Sequence, residues 1–125
     1  MSYNITLSED GQYIISRMTG PVTAELARES SMELHRMCRE HNIKRVLTDV
    51  RDVPNTLNIS QNYEYAYKDM EELGLQRDVR VAILASPDDR SHDFVETVSR
   101  NAGYNVRVFH AENAALAWLN KESTS

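Results

Sequence analysis

The sequence is poor in cysteine and contains no long apolar run. Its single cysteine, Cys38, cannot form an internal disulfide. No apolar segment approaches the about 20 residues that a membrane-spanning helix requires, and the first residues lack the basic start of a secretory signal. We therefore expect a cytoplasmic protein without an integral membrane segment, for which only peripheral membrane contact remains open.

Positive charge is also scarce. The chain has 14 Lys and Arg residues against 19 Asp and Glu residues, which gives a formal net charge of -5. A protein that binds nucleic acid needs a basic surface to meet the phosphates, so nucleic acid is not an expected partner. The 125 residues, of which 41% are hydrophobic, suffice for one core without a metal or a disulfide. We predict a single domain over residues 1–125.

The sequence lacks metal ligands at a usable spacing. Its four histidines are His35, His41, His92 and His110. His35 and His41 lie six residues apart in a predicted helix, which is not the i, i+4 spacing of paired ligands, and the other two stand alone. Cys38 falls on an inward helix face with only weak activating partners. We expect no metal, no cofactor and no nucleophilic catalyst.

What is present is a regular alternation of strands and helices. Asp10-Gly11 is typical of a hairpin turn and predicts that the first two strands are antiparallel. The later strands are separated by helices and should be parallel. The predicted strands span residues 3–7, 12–18, 44–50, 79–85 and 104–109. The predicted helices span about 23–40, about 59–73, a segment from Ser86 to Gly103, and a terminal segment through Leu119. The pattern predicts an α/β fold with a mixed, mostly parallel five-stranded sheet.

The faces of these elements can also be predicted. Valines dominate one sheet face, whereas the other mixes apolar residues with Arg45, Arg80 and Arg107, so we expect one covered face and one that is partly open at the strand starts. In the first long helix an inward stripe is expected at Ala27, Ser31, Leu34 and Cys38. In the second it is expected at Tyr63, Tyr67, Met70 and Leu73, with Tyr65 pointing away. Ser86-Pro87-Asp88-Asp89 is typical of a helix start with a serine cap.

Charged and polar residues follow three of the parallel strands. The carboxyl ends of parallel strands meet at one edge of a sheet, where ligands commonly bind. We therefore predict a binding site for a ligand or a partner at this edge, and most such clusters are otherwise solvated loop charge. The candidate residues are Asp49, Arg51, Asp52, Ser86, Asp88 and His110.

The segment of residues 52–67 is a second candidate. Its loop is polar, and the helix that follows has few strongly apolar residues, which is typical of a movable flap over a ligand or a partner surface. Tyr65 is its predicted contact residue. A lipid-like ligand would require an apolar tunnel under the helix of residues 57–73.

Four short segments carry a resemblance to a known family. They are Gly20-Pro21-Val22-Thr23-x-Glu25, the strand from Arg45 to Arg51, Val81-Ala82-Ile83-Leu84, and an ending that runs from Val108-Phe109 to Ala117-Trp118-Leu119. Together they resemble the SpoIIAA-like family, which is related in fold to STAS domains. The resemblance implies a right-handed βα superhelix with strands in sequential order, and a regulatory or interaction module of bacterial type more readily than an enzyme.

The same resemblance raises the question of phosphorylation. In STAS antagonists, a serine in an Asp-Ser-Ser-Gly motif after the third strand is phosphorylated. This chain has no such motif, and aligning Asp49 with the family aspartate brings Asn58 onto or next to the phosphoacceptor position. An amide cannot accept phosphate, so Thr56 and Ser60 remain as weak substitutes, disfavoured by the nearby carboxylates.

Two classes of function follow from the sequence. The favoured one is a non-enzymatic module that binds a protein partner or a small anionic or lipid-like ligand at the carboxyl edge of the sheet. The alternative is a small enzyme with Asp49 or Asp52 as acid-base and Arg51 as an anion clamp. A homodimer is expected because symmetric dimers are the commonest assemblies.

Overall fold

A computed structural model describes residues 3–51, 53–72, 74 and 76–121 of the chain. Its strands are β1 (Tyr3–Leu7), β2 (Ile14–Met18), β3 (Arg45–Asp49), β4 (Arg80–Leu84) and β5 (Asn105–Phe109). Its helices are α1 (Ala24–His41), α2 (Ile59–Glu64), a π-helical turn (Tyr65–Asp69), α3 (Met70–Glu72), α4 (Asp93–Asn101) and α5 (Glu112–Asn120). We call the continuous segment of α2, the π turn and α3 the roof helix.

The strands form one sheet in the sequential order β1-β2-β3-β4-β5. The pair β1–β2 is antiparallel and the other three pairs are parallel. In the turn between β1 and β2, Gly11 has a φ of 70°, a conformation that glycine adopts without a steric cost. The predicted mixed five-stranded sheet and its hairpin are therefore confirmed.

One face of the sheet is covered by α1, the roof helix and α4. The inward stripe predicted for α1 is buried, and Leu34 and Cys38 pack on Ile14, Val46 and Val79 of the sheet. Thr23 caps α1 by accepting a hydrogen bond from the Leu26 amide at 3.2 Å. Because all three crossover helices lie on this face, the βα units wind in one sense.

Among the described residues, α5 is the one helix that covers the opposite face. Leu47, Ala82 and Leu84 of the sheet pack against Ala115 and Leu119 of the helix. The guanidinium groups of Arg80 and Arg107 lie over the Trp118 ring, at 5.9 and 5.8 Å from its centroid. This face stays partly open at the start of β5, where Asn105 and Arg107 are exposed, and over β1 and β2, where Thr6 and Arg17 are exposed.

The predicted helix start at Ser86 is wrong. Residues 86–89 form a turn in which the Asp89 amide donates to the Ser86 carbonyl at 3.0 Å, and α4 begins only at Asp93. The reason is local competition, since the Asp89 carboxylate accepts a hydrogen bond from the Ser91 amide at 2.8 Å. Such a side-chain bond to the backbone stabilises a turn in place of a helix.

The inward face predicted for the roof helix is wrong at Tyr63 and Tyr67 and correct at Met70, and Leu73 lies outside the described residues. Tyr63 and Tyr67 are 48% and 47% exposed, whereas Asn62 and Met70 are buried and Tyr65 is half-buried. The π turn explains the change, because the Met70 amide donates to the Tyr65 carbonyl five residues earlier. A five-residue turn brings Tyr65 and Met70 onto one face, which α-helical spacing does not do.

Candidate functional site

The carboxyl ends of the three parallel strands β3, β4 and β5 meet at one edge of the sheet, as predicted. The Val50 amide donates to the Leu84 carbonyl at 2.9 Å, and the Ala85 amide donates to the Phe109 carbonyl at 2.9 Å. The residues that follow each strand therefore lie side by side. We call this edge, with the residues that follow β3, β4 and β5, the rim.

Asp49 is tied to its neighbour Arg51 at the rim. The Arg51 guanidinium donates from Nε to Oδ1 at 3.1 Å and from Nη2 to Oδ2 at 2.8 Å, and the Arg51 amide donates to Oδ1 at 3.1 Å. Arg17 lies 3.4 Å from Oδ2. Burial raises the pKa of Asp49, but the hydrogen bonds and charge of Arg51 and the charge of Arg17 outweigh it, so the pKa lies below its usual value. This carboxylate is a weak base at neutral pH.

Ser86 and His110 also meet at the rim. The His110 Nδ1 atom lies 3.0 Å from the Ser86 carbonyl oxygen, so Nδ1 carries the proton, and Nε2 accepts from Arg90 Nη1 at 3.2 Å. The histidine is thus held between a backbone carbonyl and an exposed arginine. Ser86 and His110 are half-buried here, and Asp88 is exposed beside them in the same loop.

The remaining predicted site residues lie apart from the rim or outside the described residues. Asp52 lies outside the described residues. The Thr56 hydroxyl donates to the Val22 carbonyl, which ties its loop to the segment before α1. Ser60 is exposed in the first turn of α2, which is capped by the Asn58 side chain. Phosphorylation of either hydroxyl stays a prediction.

A partly open cavity of about 110 Å³ lies between the first sheet face and the helices that cover it. The sheet forms its floor, α1 and α4 form its sides, and the roof helix lies over it. Its lining is mainly apolar and includes Val50, Met70, Ile83 and Val106. This cavity lies under the helix where a lipid-like ligand would need an apolar tunnel.

Several polar side chains also line the cavity. On the floor, Ser16 and Thr48 are register partners on β2 and β3. Ser16 is 1% exposed, and its hydroxyl has no hydrogen-bond partner among the described residues. On the opposite wall, the Ser31 and Tyr65 hydroxyls share a short hydrogen bond. Tyr65, predicted as a surface contact, therefore lies inside the site.

His35 is the buried titratable group of the α1 wall. It is 4% exposed, and its Nδ1 atom accepts a hydrogen bond from the Gln76 amide at 3.4 Å. Desolvation, with a smaller contribution from the charge of Arg39, lowers the pKa of His35 to about 4. At neutral pH this side chain is an uncharged part of the wall.

The cavity adjoins a surface groove. Asn55, Leu57 and Asn62 line both, and the groove of about 580 Å³ also includes Phe94. Asn55 Nδ2 donates to Asn62 Oδ1 at 3.2 Å across this boundary. The Asn55 amide donates to Ser91 Oγ at 2.9 Å, which fixes the loop to the segment before α4. We call the three shared residues the mouth of the cavity.

Sequence reasoning missed most of the residues that line this cavity. Ser16 and Thr48 lie on strands whose faces were predicted from their apolar residues, and Asn62 and His92 were not predicted as site residues. A buried serine at an inward strand position is a usable signal, since Ser16 falls between inward Ile14 and Met18. The pattern could not show, however, that no neighbour reaches its hydroxyl.

Two other kinds of site are absent from the described residues. Within residues 3–51, 53–72, 74 and 76–121, no group of three or more His, Cys, Asp or Glu side chains is placed to hold a metal ion. In the same part of the chain, no helix combines the length and the apolar character needed to cross a bilayer.

Comparison with known proteins supports the fold. No family model and no curated protein matches the chain. A solved structure is similar, that of an uncharacterized DUF3478-family protein with a SpoIIAA-like fold from Shewanella loihica PV-4. The sequence identity is 22%, the match covers 94% of this chain and 91% of that chain, and the TM-score is 0.54. The predicted SpoIIAA-like fold is confirmed, and function has to be argued from the site.

Proposed function

We propose that this protein is a non-enzymatic binding module that holds a small molecule in the cavity beneath the roof helix. The observation that carries the proposal is the Ser16 hydroxyl, which is buried at the cavity floor and has no hydrogen-bond partner among the residues that the structure describes. A buried hydroxyl without a partner costs about 1–3 kcal/mol. A ligand group that bonds to Ser16 would offset that cost.

The lining of the cavity supports this function. Ligand pockets are typically concave, mostly apolar and supplied with a few polar groups that orient the ligand. Here Val50, Met70 and Ile83 provide apolar surface, and Ser16 and Thr48 provide neighbouring hydroxyls. The composition is that of a binding pocket more than that of an ordinary core.

The roof helix supports a route into the cavity. π turns within helices occur frequently at functional sites, and this one lies directly over the cavity. The mouth residues Asn55 and Asn62 are joined by a side-chain hydrogen bond, whose rupture would connect the cavity to the surface groove. A small outward movement of α2 would admit a ligand.

The same geometry disfavours the enzymatic alternative. Asp49 is engaged by two arginines and its pKa is lowered, so it would abstract a proton poorly at neutral pH. His35, a candidate base inside the cavity, has a pKa of about 4, and its Nδ1 atom accepts the Gln76 amide. Binding without chemistry accounts for these groups.

Native mass spectrometry of the purified full chain tests the proposal. We expect a population of protein that carries one non-covalently bound small molecule. Ala27→Leu places extra atoms at the cavity wall and should abolish the bound mass, whereas Ala114→Leu adds the same atoms at an exposed site on α5 and should retain it. If Ala27→Leu does not fold, Ser16→Ala replaces it and should reduce the bound fraction.

The proposal is contradicted if the gently purified wild-type protein carries no bound mass and its cavity residues show no NMR shift with any member of a fragment library. Retention of the bound mass by every cavity variant would also contradict it.

A second candidate function is a protein contact, which the roof helix favours on its outer side. Tyr63 and Tyr67 are exposed and stack with a centroid distance of 5.9 Å, and Phe94 packs edge-on to Tyr63 at 5.5 Å. Exposed tyrosines are enriched at protein interfaces. The rim residues Asp49, Arg51, Ser86, Asp88 and His110 are proposed as further contacts of the same partner, and Asp52, outside the described residues, stays a predicted contact from the sequence.

The first partner to test is a second copy of the chain, in keeping with the predicted homodimer. Sedimentation equilibrium of the wild type should show a dimer, and Tyr63→Ser should shift the protein to monomer. A wild type that stays monomeric at all accessible concentrations would remove the dimer version of this candidate.

A further inference from the structure

The cavity is lined by residues without formal charge. Among its lining residues that the structure describes, none is Lys, Arg, Asp or Glu. Of the two lining histidines, His35 accepts a hydrogen bond at Nδ1, and the Nε2 atom of His92 lies 2.9 Å from the Val53 carbonyl oxygen and 3.5 Å from Asp89 Oδ2, so this nitrogen is already engaged. The described lining therefore offers no unengaged cation for an anionic ligand and no lining carboxylate for a cationic one.

A charged ligand would be costly in such a cavity. Transfer of an ion from water into a low-dielectric site is unfavourable by several kcal/mol unless a partner charge compensates for it. Arg51, the basic side chain nearest the end of β3, is engaged with Asp49 at the rim. The anionic ligand expected from the rim residues does not match this cavity.

The size of the cavity limits the ligand further. An engineered cavity of about 150 Å³ binds one benzene molecule, and the cavity here measures about 110 Å³. A long acyl chain exceeds the volume of the cavity itself and would have to extend through the mouth into the surface groove, so the cavity alone does not hold the lipid-like ligand expected from the sequence. A ligand close in size to one six-membered ring fits after a small outward movement of the roof helix.

The polar groups limit its chemistry. The Ser31 hydroxyl is engaged with Tyr65, and Ser30 Oγ donates back to the Ala27 carbonyl at 3.4 Å. Ser16 Oγ is the buried lining hydroxyl that has no partner among the described residues. Its neighbour in register is Thr48, so two hydroxyl side chains lie together on an otherwise apolar floor. A ligand with one polar group directed at the floor could form a hydrogen bond with these hydroxyls.

We infer that the ligand is an uncharged molecule, about the size of a single six-membered ring, that carries one hydroxyl or a similar neutral polar group directed at Ser16. The inference rests on the proposed binding function and adds its ligand class. The apolar part of the ligand contacts Val50, Met70 and Ile83, and its polar group bonds to the Ser16 hydroxyl. Water, which can also bond to Ser16, is the competing occupant.

Three probes of the same ring size test this inference, namely phenol, benzene and benzoate. Each is titrated into the full-length, isotopically labelled protein at pH 7, and amide shifts of β2 and β3 are followed by NMR. Phenol should shift the amides of Ser16 and Thr48, benzene should shift them with weaker affinity, and benzoate should leave them unchanged.

Ser16→Ala isolates the polar contact. A hydrogen bond of ordinary strength corresponds to a roughly two- to tenfold change in affinity, so the variant should bind phenol weaker by that factor and benzene with unchanged affinity. Thr6→Ala removes an exposed hydroxyl from β1, outside the cavity, and should bind both probes as the wild type does. Because Ser16→Ala is a small change at a hydroxyl without a partner, we expect the variant to fold.

Four results would overturn the inference. They are binding of benzoate as tight as that of phenol, equal phenol affinity in the wild type and Ser16→Ala, no shift with any probe, and a native ligand that is charged or has a long chain. In the first two and the fourth, a bound molecule still supports the proposed binding function. If no probe shifts the amides, the bound mass in native mass spectrometry decides whether that function also fails.

Discussion

The buried side chain of His35 makes the stability of this protein depend on pH. The pKa of His35 is about 4 in the folded chain and about 6.5 in an unfolded one. The unfolded chain therefore binds this proton at a higher pH. The stability that the neutral side chain contributes is complete above pH 6.5 and is lost as the pH falls towards 4.

This linkage gives a first prediction. The pKa difference corresponds to roughly 3 kcal/mol, and most of it should be lost between pH 7 and pH 4.5. Urea unfolding of the wild type and of His35→Gln at both pH values measures it, with the glutamine still able to accept the Gln76 amide. The variant should lose less stability over this interval by about 2 kcal/mol or more. Parallel losses in the two proteins would show that His35 is not the group responsible.

Ser16 gives the second prediction, which concerns stability without ligand. Its hydroxyl is buried and no described residue bonds to it, so Ser16→Ala removes a desolvation cost and should stabilise the ligand-free chain by about 1 kcal/mol. Thermal unfolding after removal of any bound molecule measures the effect. The same variant is expected to bind phenol more weakly, so a gain in stability should accompany a loss in affinity. A destabilised variant would indicate that Ser16 has a structural partner.

At the scale of elements, the roof helix differs from the other helices on its face. It contributes buried Met70 and half-buried Tyr65 to the core, whereas Tyr63 and Tyr67 point outward. Its π turn replaces regular α-helical bonds. An element with few buried apolar contacts opens locally at a lower free energy than the central strands do.

The third prediction follows from this difference. Amides of residues 60–72 should exchange with solvent faster than those of β3 and β4. Their exchange should occur through local opening of the roof helix and not through global unfolding. Asn62→Ala removes the bond to Asn55 at the mouth and should accelerate exchange in α2 while leaving β3 unchanged. Hydrogen exchange monitored by mass spectrometry measures both. Protection of the roof helix equal to that of the central strands would contradict the predicted flap.

The same scale shows why two helix predictions were wrong. Ser86-Pro87-Asp88-Asp89 contains good helix-start residues, but the Asp89 carboxylate binds the Ser91 amide and favours a turn. In the roof helix, the π turn brings Tyr65 onto the face of Met70, whereas Tyr63 and Tyr67, predicted at α-helical spacing to face inward, are exposed. In both places the deciding interaction is a hydrogen bond that periodicity does not report.

At the scale of the molecule, the two faces of the sheet are covered to different extents. Three helical segments pack on one face, whereas α5 alone packs on the other. Leu119 of α5 is fully buried against Leu47 and Leu84. The second face therefore depends on a single helix near the end of the described chain.

The fourth prediction tests this dependence. Leu119→Ala should lower the free energy of unfolding by about 2–5 kcal/mol, because it leaves a cavity under the only helix that covers this face in the described residues. Leu7→Ala makes the same chemical change at a side chain that is 41% exposed and should change stability by about 0.5 kcal/mol or less. Chemical unfolding of both variants gives the comparison. A similar, small loss in both would indicate that α5 contributes little to the fold.

The order of elements, the hairpin and the shared rim could be read from the amino-acid sequence, because each follows from local rules. Asp10-Gly11 forms a turn wherever it occurs between strands, an apolar stripe such as Leu34 and Cys38 has one side to bury, and parallel strands end at one edge. That residues 1–125 form one domain stays a prediction. The cavity was decided by tertiary structure alone. Its volume is the small space left between helices packed on a sheet, and Ser16 Oγ has no partner among the described residues, while the Ser31 and Tyr65 hydroxyls on the opposite wall bond to each other. Such a gap depends on distances between elements far apart in the chain, and no local pattern of residues encodes it.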